Sequence, residues 1–222
     1  MNGLQQYIQK HWLWIIVNIG SLVPLAWLIL TFNQSINPID DITDVTGKSA
    51  LILLILSLAC TPLSAIFGFK KAVTVRKSLG LYAFLYVSLH LLTFAGLDYG
   101  LNWGQIFVDA VLEKRYVLVG FVAFLIMVPL AITSTKGWMK RLGRNWKRLH
   151  KWVYLAAGLA VLHYLWVVKI DIREPLLYGG LLALLLLMRV PQVRKYLSAQ
   201  RRNLFGKKQA TKAVSRTSPT KA

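Results

Sequence analysis

Leu149-His150-Lys151-Trp152-Val153-Tyr154-Leu155-Ala156-Ala157-Gly158-Leu159-Ala160-Val161-Leu162-His163-Tyr164-Leu165-Trp166-Val167-Val168 is apolar on every side once His150 and Lys151 are passed, and only His163 interrupts it. About twenty such residues are what a helix needs to cross ~30 Å of hydrocarbon. A soluble helix of this length would keep a polar face. This one keeps none, so lipid or other helices must surround it.

Five more segments of the same kind flank it: Trp12 to Phe32, Thr46 to Phe67, Ser78 to Leu97, Tyr116 to Thr135 and, shortest of all, Pro175 to Val190. Together they predict an all-α integral membrane protein, a six-transmembrane-helix bundle. Of the 222 residues, 56% are hydrophobic and 16% charged, against about a quarter charged in a soluble domain, which excludes a water-soluble globule. Trp12, Trp14 and Trp27 punctuate the first span as interface anchors, and no small-residue cleavage site follows it, so it is expected to stay in the mature chain. Pro24 and Pro129 predict kinks inside their spans, because neighbouring helices can satisfy a freed carbonyl in a membrane. The polar stretch from Asn33 to Val45 reads as a turn, with Gly47 at the start of the next helix. The organisation expected is a cytoplasmic segment 1–11, a six-span domain 12–190 and a basic, disordered cytoplasmic tail 191–222.

The charges fix an orientation. Lys10, the second connection (Lys70, Lys71, Arg76, Lys77), the fourth (Lys136, Lys140, Arg141, Arg144, Lys147, Arg148, Lys151) and the chain from Arg189 onward carry most of the basic residues and no acid. The opposite side holds Asp40, Asp41, Asp44, Asp98, Asp109, Glu113, Asp171 and Glu174, with only Lys48, Lys114, Arg115, Lys169 and Arg173 as cations. By the positive-inside rule both termini are cytoplasmic. The net charge of +19 would suggest nucleic acid in a soluble protein, but beside apolar spans it reads as orientation and anionic-lipid contact. The lone Cys60 sits in a span and reads as a packing residue. No GxGxxG, GxxxxGK[ST] or CxxC motif is present, so chemistry must occur in the bundle or on a partner.

Histidine at membrane depth is costly and marks a functional candidate. His90 lies about 18 Å beyond Ser78 and His163 about 21 Å beyond Leu149 along outward-running helices, at ~1.5 Å per residue. They share a level in the outer half of the bilayer. Two neutral imidazoles on facing helices suit the axial positions of a haem iron between the third and fifth helices. From spacing alone, interhelical hydrogen bonding or a proton path remains as an alternative. His150, at the inner end, lies about 220° around the helix from His163 and finds no histidine opposite it, so a flavin, quinone or lipid-headgroup contact is read ahead of iron ligation. His11 reads as interfacial. Arg76, Lys77, Arg144, Lys147 and Arg148 gather at the inner ends of the same helices, with Trp146 and Trp152 available to stack on a flavin or quinone ring. Anchoring on anionic lipid is the plainer role for these cations.

Several of these segments carry a resemblance. Arg76-Lys77-Ser78-Leu79-Gly80-Leu81-Tyr82-Ala83-Phe84 leading to Leu89-His90-Leu91, the stretch from Leu142 to Tyr154, and His163-Tyr164-Leu165-Trp166-Val167-Val168-Lys169-Ile170 resemble the MsrQ (YedZ) family of the ferric-reductase-like transmembrane superfamily. Thr61-Pro62-Leu63 and Leu130-Ala131-Ile132-Thr133-Ser134 match too, so the likeness spans roughly residues 12 to 190. Arg76-Lys77 stands where relatives often have Arg-Arg, and Lys114-Arg115-Tyr116 where they have Arg-Pro-Tyr. The resemblance implies one haem b, an FMN on the cytoplasmic side, the bacterial inner membrane, and His90, His150 and His163 at the family's histidine positions. It also implies electrons taken from the quinone pool or a cytoplasmic flavin reductase and passed to MsrP, a periplasmic molybdopterin enzyme that reduces methionine sulfoxide in oxidised proteins. Asp98, Asp109, Glu113 and the Asp171 to Glu174 loop could dock that partner, though exposed acids usually just solvate a loop. A stand-alone ferric or cupric reductase and a haem-free transporter or scaffold are the rival functions.

Overall fold

The computed structural model describes residues 3–168, 170–193, 195–197 and 199. Lys169, the first two residues of segment 1–11 and most of the tail 191–222 lie outside the described residues. Regular structure within them is entirely helical: α1 (Gly3–Thr31), α2 (Pro38–Phe67), α3 (Ala72–Leu92), α4 (Trp103–Leu112), α5 (Arg115–Ile132), α6 (Lys136–Leu142), α7 (Arg144–Leu149), α8 (Val153–Val167) and α9 (Arg173–Leu187). Short 3₁₀ turns at Phe32–Gln34 and His150–Trp152 and a π-helical turn at Thr93–Asp98 complete the path.

Among the described residues four helices are long and apolar enough to cross a membrane: those running His11–Gln34, Pro38–Phe67, Ala72–Asp98 and Arg115–Ile132. A fifth is reached if Arg173–Leu187 and Pro191–Leu197, bent by 72°, form one broken span. The predicted span from Leu149 to Val168 is divided instead: α7 and the 3₁₀ turn take its first residues and leave α8 with 15. Helices α1 and α5 run on through Pro24 and Pro129. Outward-facing apolar side chains such as Leu30 (77% exposed) and Ile29 (70%) on α1 present the surface that lipid covers.

The segment before Gly47 requires a correction. The stretch from Pro38 is helix, not turn, because Pro38 occupies the first helical position and Asp40 and Asp41 stand in the first turn, where they complement the helix dipole. Gly47 is therefore inside α2. The connection between α3 and α5 contains a further helix, α4, with Trp103 and Phe107 exposed.

Packing pairs α2 along α3 and α5 along α8, with α1 laid on α2 and α3 and α9 on α8 and α2. Ala83, Ala156 and Ala157 are fully buried, and such small residues let membrane helices approach closely where no hydrophobic force draws them together. Two polar ties fix the bundle. The buried Tyr86 hydroxyl donates to the Ser21 carbonyl at 2.7 Å and accepts from the Leu25 amide at 3.2 Å, the two groups a straight helix would join directly beside Pro24. Arg189, just past α9, donates to the Leu58 carbonyl at 2.5 Å and to the Tyr154 hydroxyl.

Candidate functional site

Helices α3 and α8 bring His90 and His163 together, with ring centres 6.2 Å apart and ring planes at 87°. Each imidazole is held from behind by main chain. His90 Nδ1 lies 2.9 Å from the Thr43 carbonyl on α2, and His163 Nδ1 lies 2.8 Å from the Tyr116 carbonyl on α5. A carbonyl can only accept, so each Nδ1 carries the proton and each Nε2 keeps its lone pair. That is the form in which histidine binds a metal, oriented by a hydrogen bond from its other nitrogen. A metal–imidazole bond is about 2 Å and each nitrogen sits roughly 1 Å ahead of its ring centre, so two rings sharing one metal stand about 6 Å apart. The observed separation fits. Among the described residues no three His, Cys, Asp or Glu side chains converge as metal ligands, so two imidazoles alone would leave a metal undersupplied with donors. A porphyrin would supply four more.

The α3 backbone widens into a π-helical turn at Thr93, three residues after His90, a distortion frequent at functional sites. Lys48, one residue beyond Gly47 on α2, pairs with Asp44 at 3.1 Å and Glu174 at 3.2 Å, and Tyr164, beside His163, donates to Glu174 at 2.5 Å. Glu174 is thus engaged within the chain, as is Asp109, which accepts from Tyr99 at 2.8 Å. Lys114 donates to the same Tyr99 hydroxyl, and this bond holds its ammonium above the ordinary lysine range. Asp98, Glu113 and Asp171 are exposed.

At the other end of the same helices a cleft of about 260 Å³ opens between α3 and α5, lined by Ser57, Arg76, Lys77, Phe84, Met127 and Trp146 among others. Arg76 is steadied by Thr61 at 3.2 Å. Of the aromatic pair expected here only Trp146 lines the cleft; Trp152 is exposed and stands away from it. Arg144, Lys147 and Arg148 project from α7 with exposed side chains outside the lining. His150 lies behind Trp146, stacked on its indole with ring centres 4.1 Å apart. Its Nε2 is 3.2 Å from the Thr133 hydroxyl, and that hydroxyl spends its one proton on the Pro129 carbonyl at 2.6 Å. His150 must therefore donate through Nε2, the reverse of His90 and His163. Trp146 Nε1 donates to the Thr133 carbonyl at 3.0 Å and locks the stack.

Sequence reasoning named the three histidines but missed Thr43, Gly47, Tyr116, Gly120 and Thr133, whose parts are played by carbonyls, a hydroxyl and absent side chains. Phe84, a cleft residue, stacks on Phe124 of α5 at 5.8 Å. This places an aromatic contact between the cleft and the imidazole pair.

Residues 46–161 match the family described as ferric reductase like transmembrane component, which defines the class of multi-pass membrane protein that these helices and this paired-histidine bundle represent. The match takes in His90 and His150 and ends two residues before His163. Within that class the chain belongs to the MsrQ family. It is 52% identical over 165 residues to the protein-methionine-sulfoxide reductase heme-binding subunit MsrQ of Xanthomonas campestris pv. campestris (strain 8004), covering 74% of both chains. It is 45% identical over 186 residues to the MsrQ of Rhodospirillum rubrum, covering 82% of this chain and 89% of that one. The MsrQ of Xanthomonas euvesicatoria pv. vesicatoria is 46% identical over 195 residues, covering 84% and 88%.

Proposed function

We propose that this chain is the haem b subunit that carries electrons through the bacterial inner membrane to a periplasmic, MsrP-like molybdopterin reductase of protein methionine sulfoxide. The observation that carries the reading is the imidazole pair itself: two rings 6.2 Å apart, both with Nδ1 committed to backbone carbonyls and both with Nε2 free to ligate. When bound, the haem supplies one-electron redox chemistry; His90 and His163 would hold it through Nε2 and help set its potential.

The charge asymmetry supports six spans with both termini cytoplasmic, α8 and α9 completing the set with the short segments next to them. In that orientation the cleft faces the cytoplasm, and the pair lies nearer the periplasm. A quinol from the membrane, or the FMN of a flavin carrier, would deliver electrons at the cleft. Trp146 offers a face to stack on, Arg76 and Lys77 a positive rim for a quinone oxygen or a flavin phosphate, and Met127 and Phe84 an apolar wall. Arg144, Lys147 and Arg148 would meet lipid headgroups or the rim of a docked donor. The exposed Asp98, Glu113 and Asp171 are left for the partner's outer-side surface.

The test is a dithionite-reduced minus oxidised spectrum, with haem per polypeptide measured on the purified protein and on His90→Ala and His163→Ala. Both variants should insert in the membrane and lose the Soret band. A full haem complement in either would sink the ligand assignment. Flavin released on denaturation would favour the FMN donor, and its absence the quinone.

A further inference from the structure

The two histidines are delivered by one device used twice. Adding 73 to Thr43, Gly47 and His90 gives Tyr116, Gly120 and His163, and the structure treats the members of each pair alike. The two histidine-to-carbonyl bonds each span 47 residues. A Cβ built on Gly47 would stand 3.1 Å from His90 Nδ1, and one built on Gly120 would stand 2.7 Å from His163 Nδ1. The same offset relates further buried positions: Ala50 with Ala123, Leu54 with Met127, Cys60 with Thr133, and Ala83 with Ala156. Hairpin α2–α3 and the pair α5 and α8 are thus equivalent halves, with one imidazole from each meeting between them.

Helix geometry explains the glycines. The carbonyl of residue i already accepts from the amide of i+4, and its second lone pair is reached from the side on which the i+4 side chain leaves the helix, as back-bonding serine and threonine show. An imidazole from a neighbouring helix takes that lone pair unhindered when residue i+4 has no Cβ. Both carbonyls used here have glycine at that place. Each of their helices has that one glycine and no other, whereas Gly158, on α8 with His163, has nothing within 4 Å of its missing Cβ.

We infer that Gly47 and Gly120 are a matched pair of positioning residues: by leaving room for each imidazole against its neighbouring helix, they fix the ring orientations and thereby the electronic state of the iron. This rests on the ligation reading above, and the experiment separates the two. Holoprotein in detergent is compared for haem content, low-spin ferric EPR signal and midpoint potential in wild type, Gly47→Ala, Gly120→Ala and Gly158→Ala. At Gly120 the added carbon comes closer than real Cβ atoms approach anything, so Gly120→Ala should lose most of its haem or convert it to a high-spin form. At Gly47 a displacement of a few tenths of an ångström suffices, so Gly47→Ala should keep its haem with a shifted EPR signal and potential. Gly158→Ala should match wild type in all three. If Gly120→Ala does not accumulate, Gly47→Ala decides alone. A wild-type EPR signal and potential in Gly47→Ala would overturn the inference while leaving ligation intact, and so would a Gly158→Ala shift as large as that of Gly47→Ala. Haem retained in His90→Ala or His163→Ala would remove the ligation reading beneath it.

Discussion

The outer and inner ends of the same helices hold their histidines by different means, and the difference separates two jobs. At one end, both imidazoles donate through Nδ1 to backbone carbonyls, leaving both Nε2 lone pairs unspent on rings whose centres are 6.2 Å apart. At the inner end, His150 donates through Nε2 to a side-chain hydroxyl and is covered by an indole. The offset that pairs His90 with His163 pairs His150 with Lys77, so the inner end has one imidazole where the outer has two. A symmetric pair suits a shared metal. An asymmetric rim of imidazole, indole and cation beside an open cleft suits a visitor that comes and goes.

The largest expected effect tests that division directly. His90→Ala and His163→Ala should each remove the haem, whereas His150→Ala should retain it in full, since its Nε2 is already spent on Thr133. Haem loss in His150→Ala equal to that in the outer variants would break the comparison and make the inner imidazole a ligand.

A smaller effect should follow from the cleft. Trp146→Ala removes both the stacking face and the cover over His150, and should slow reduction of the haem by a quinol analogue or reduced flavin about tenfold, close to 1.4 kcal/mol in the barrier. Its reduction by dithionite and its EPR signal should stay at wild-type values, because the outer carbonyls are untouched. Stopped-flow traces with the two reductants side by side give the ratio; equal slowing with both would mean that Trp146 supports the bundle rather than a donor.

The two ends were also unequally legible in the sequence. Apolar runs disclosed the spans and their depth, and depth alone brought His90 and His163 to one level. What fixed the start of α2 was local chemistry, Asn37-Pro38 with Asp40 and Asp41, and a polar stretch that could be a turn was a helix start. Gly47 reads as a boundary in sequence because glycine is usually punctuation. Its role depends on a ring that arrives from 43 positions further along the chain, which periodicity within one helix cannot reveal. The offset of 73 could have revealed it, since Gly47 and Gly120 stand at equal distances before their histidines. The inner end offered no such repeat. Its five cations look alike in sequence, and only the geometry parts Arg76 and Lys77 on the cleft from Arg144, Lys147 and Arg148 outside it.

The smallest effect sharpens the contrast between main-chain and side-chain support. No substitution can delete the Thr43 or Tyr116 carbonyl, but Thr133→Val deletes the hydroxyl that holds His150 while keeping the carbonyl that holds Trp146. Valine is close to threonine in shape, so the loss is confined to the hydrogen bonds of one hydroxyl, worth about 1 kcal/mol. Thermal unfolding in detergent should show a small decrease, and His150, with its Nε2 released, should be free to turn. Haem content and midpoint potential should not move. A change in potential as large as that of Gly47→Ala would mean that inner and outer ends share one electrostatic unit, and the separation of donor cleft from haem site would have to be abandoned.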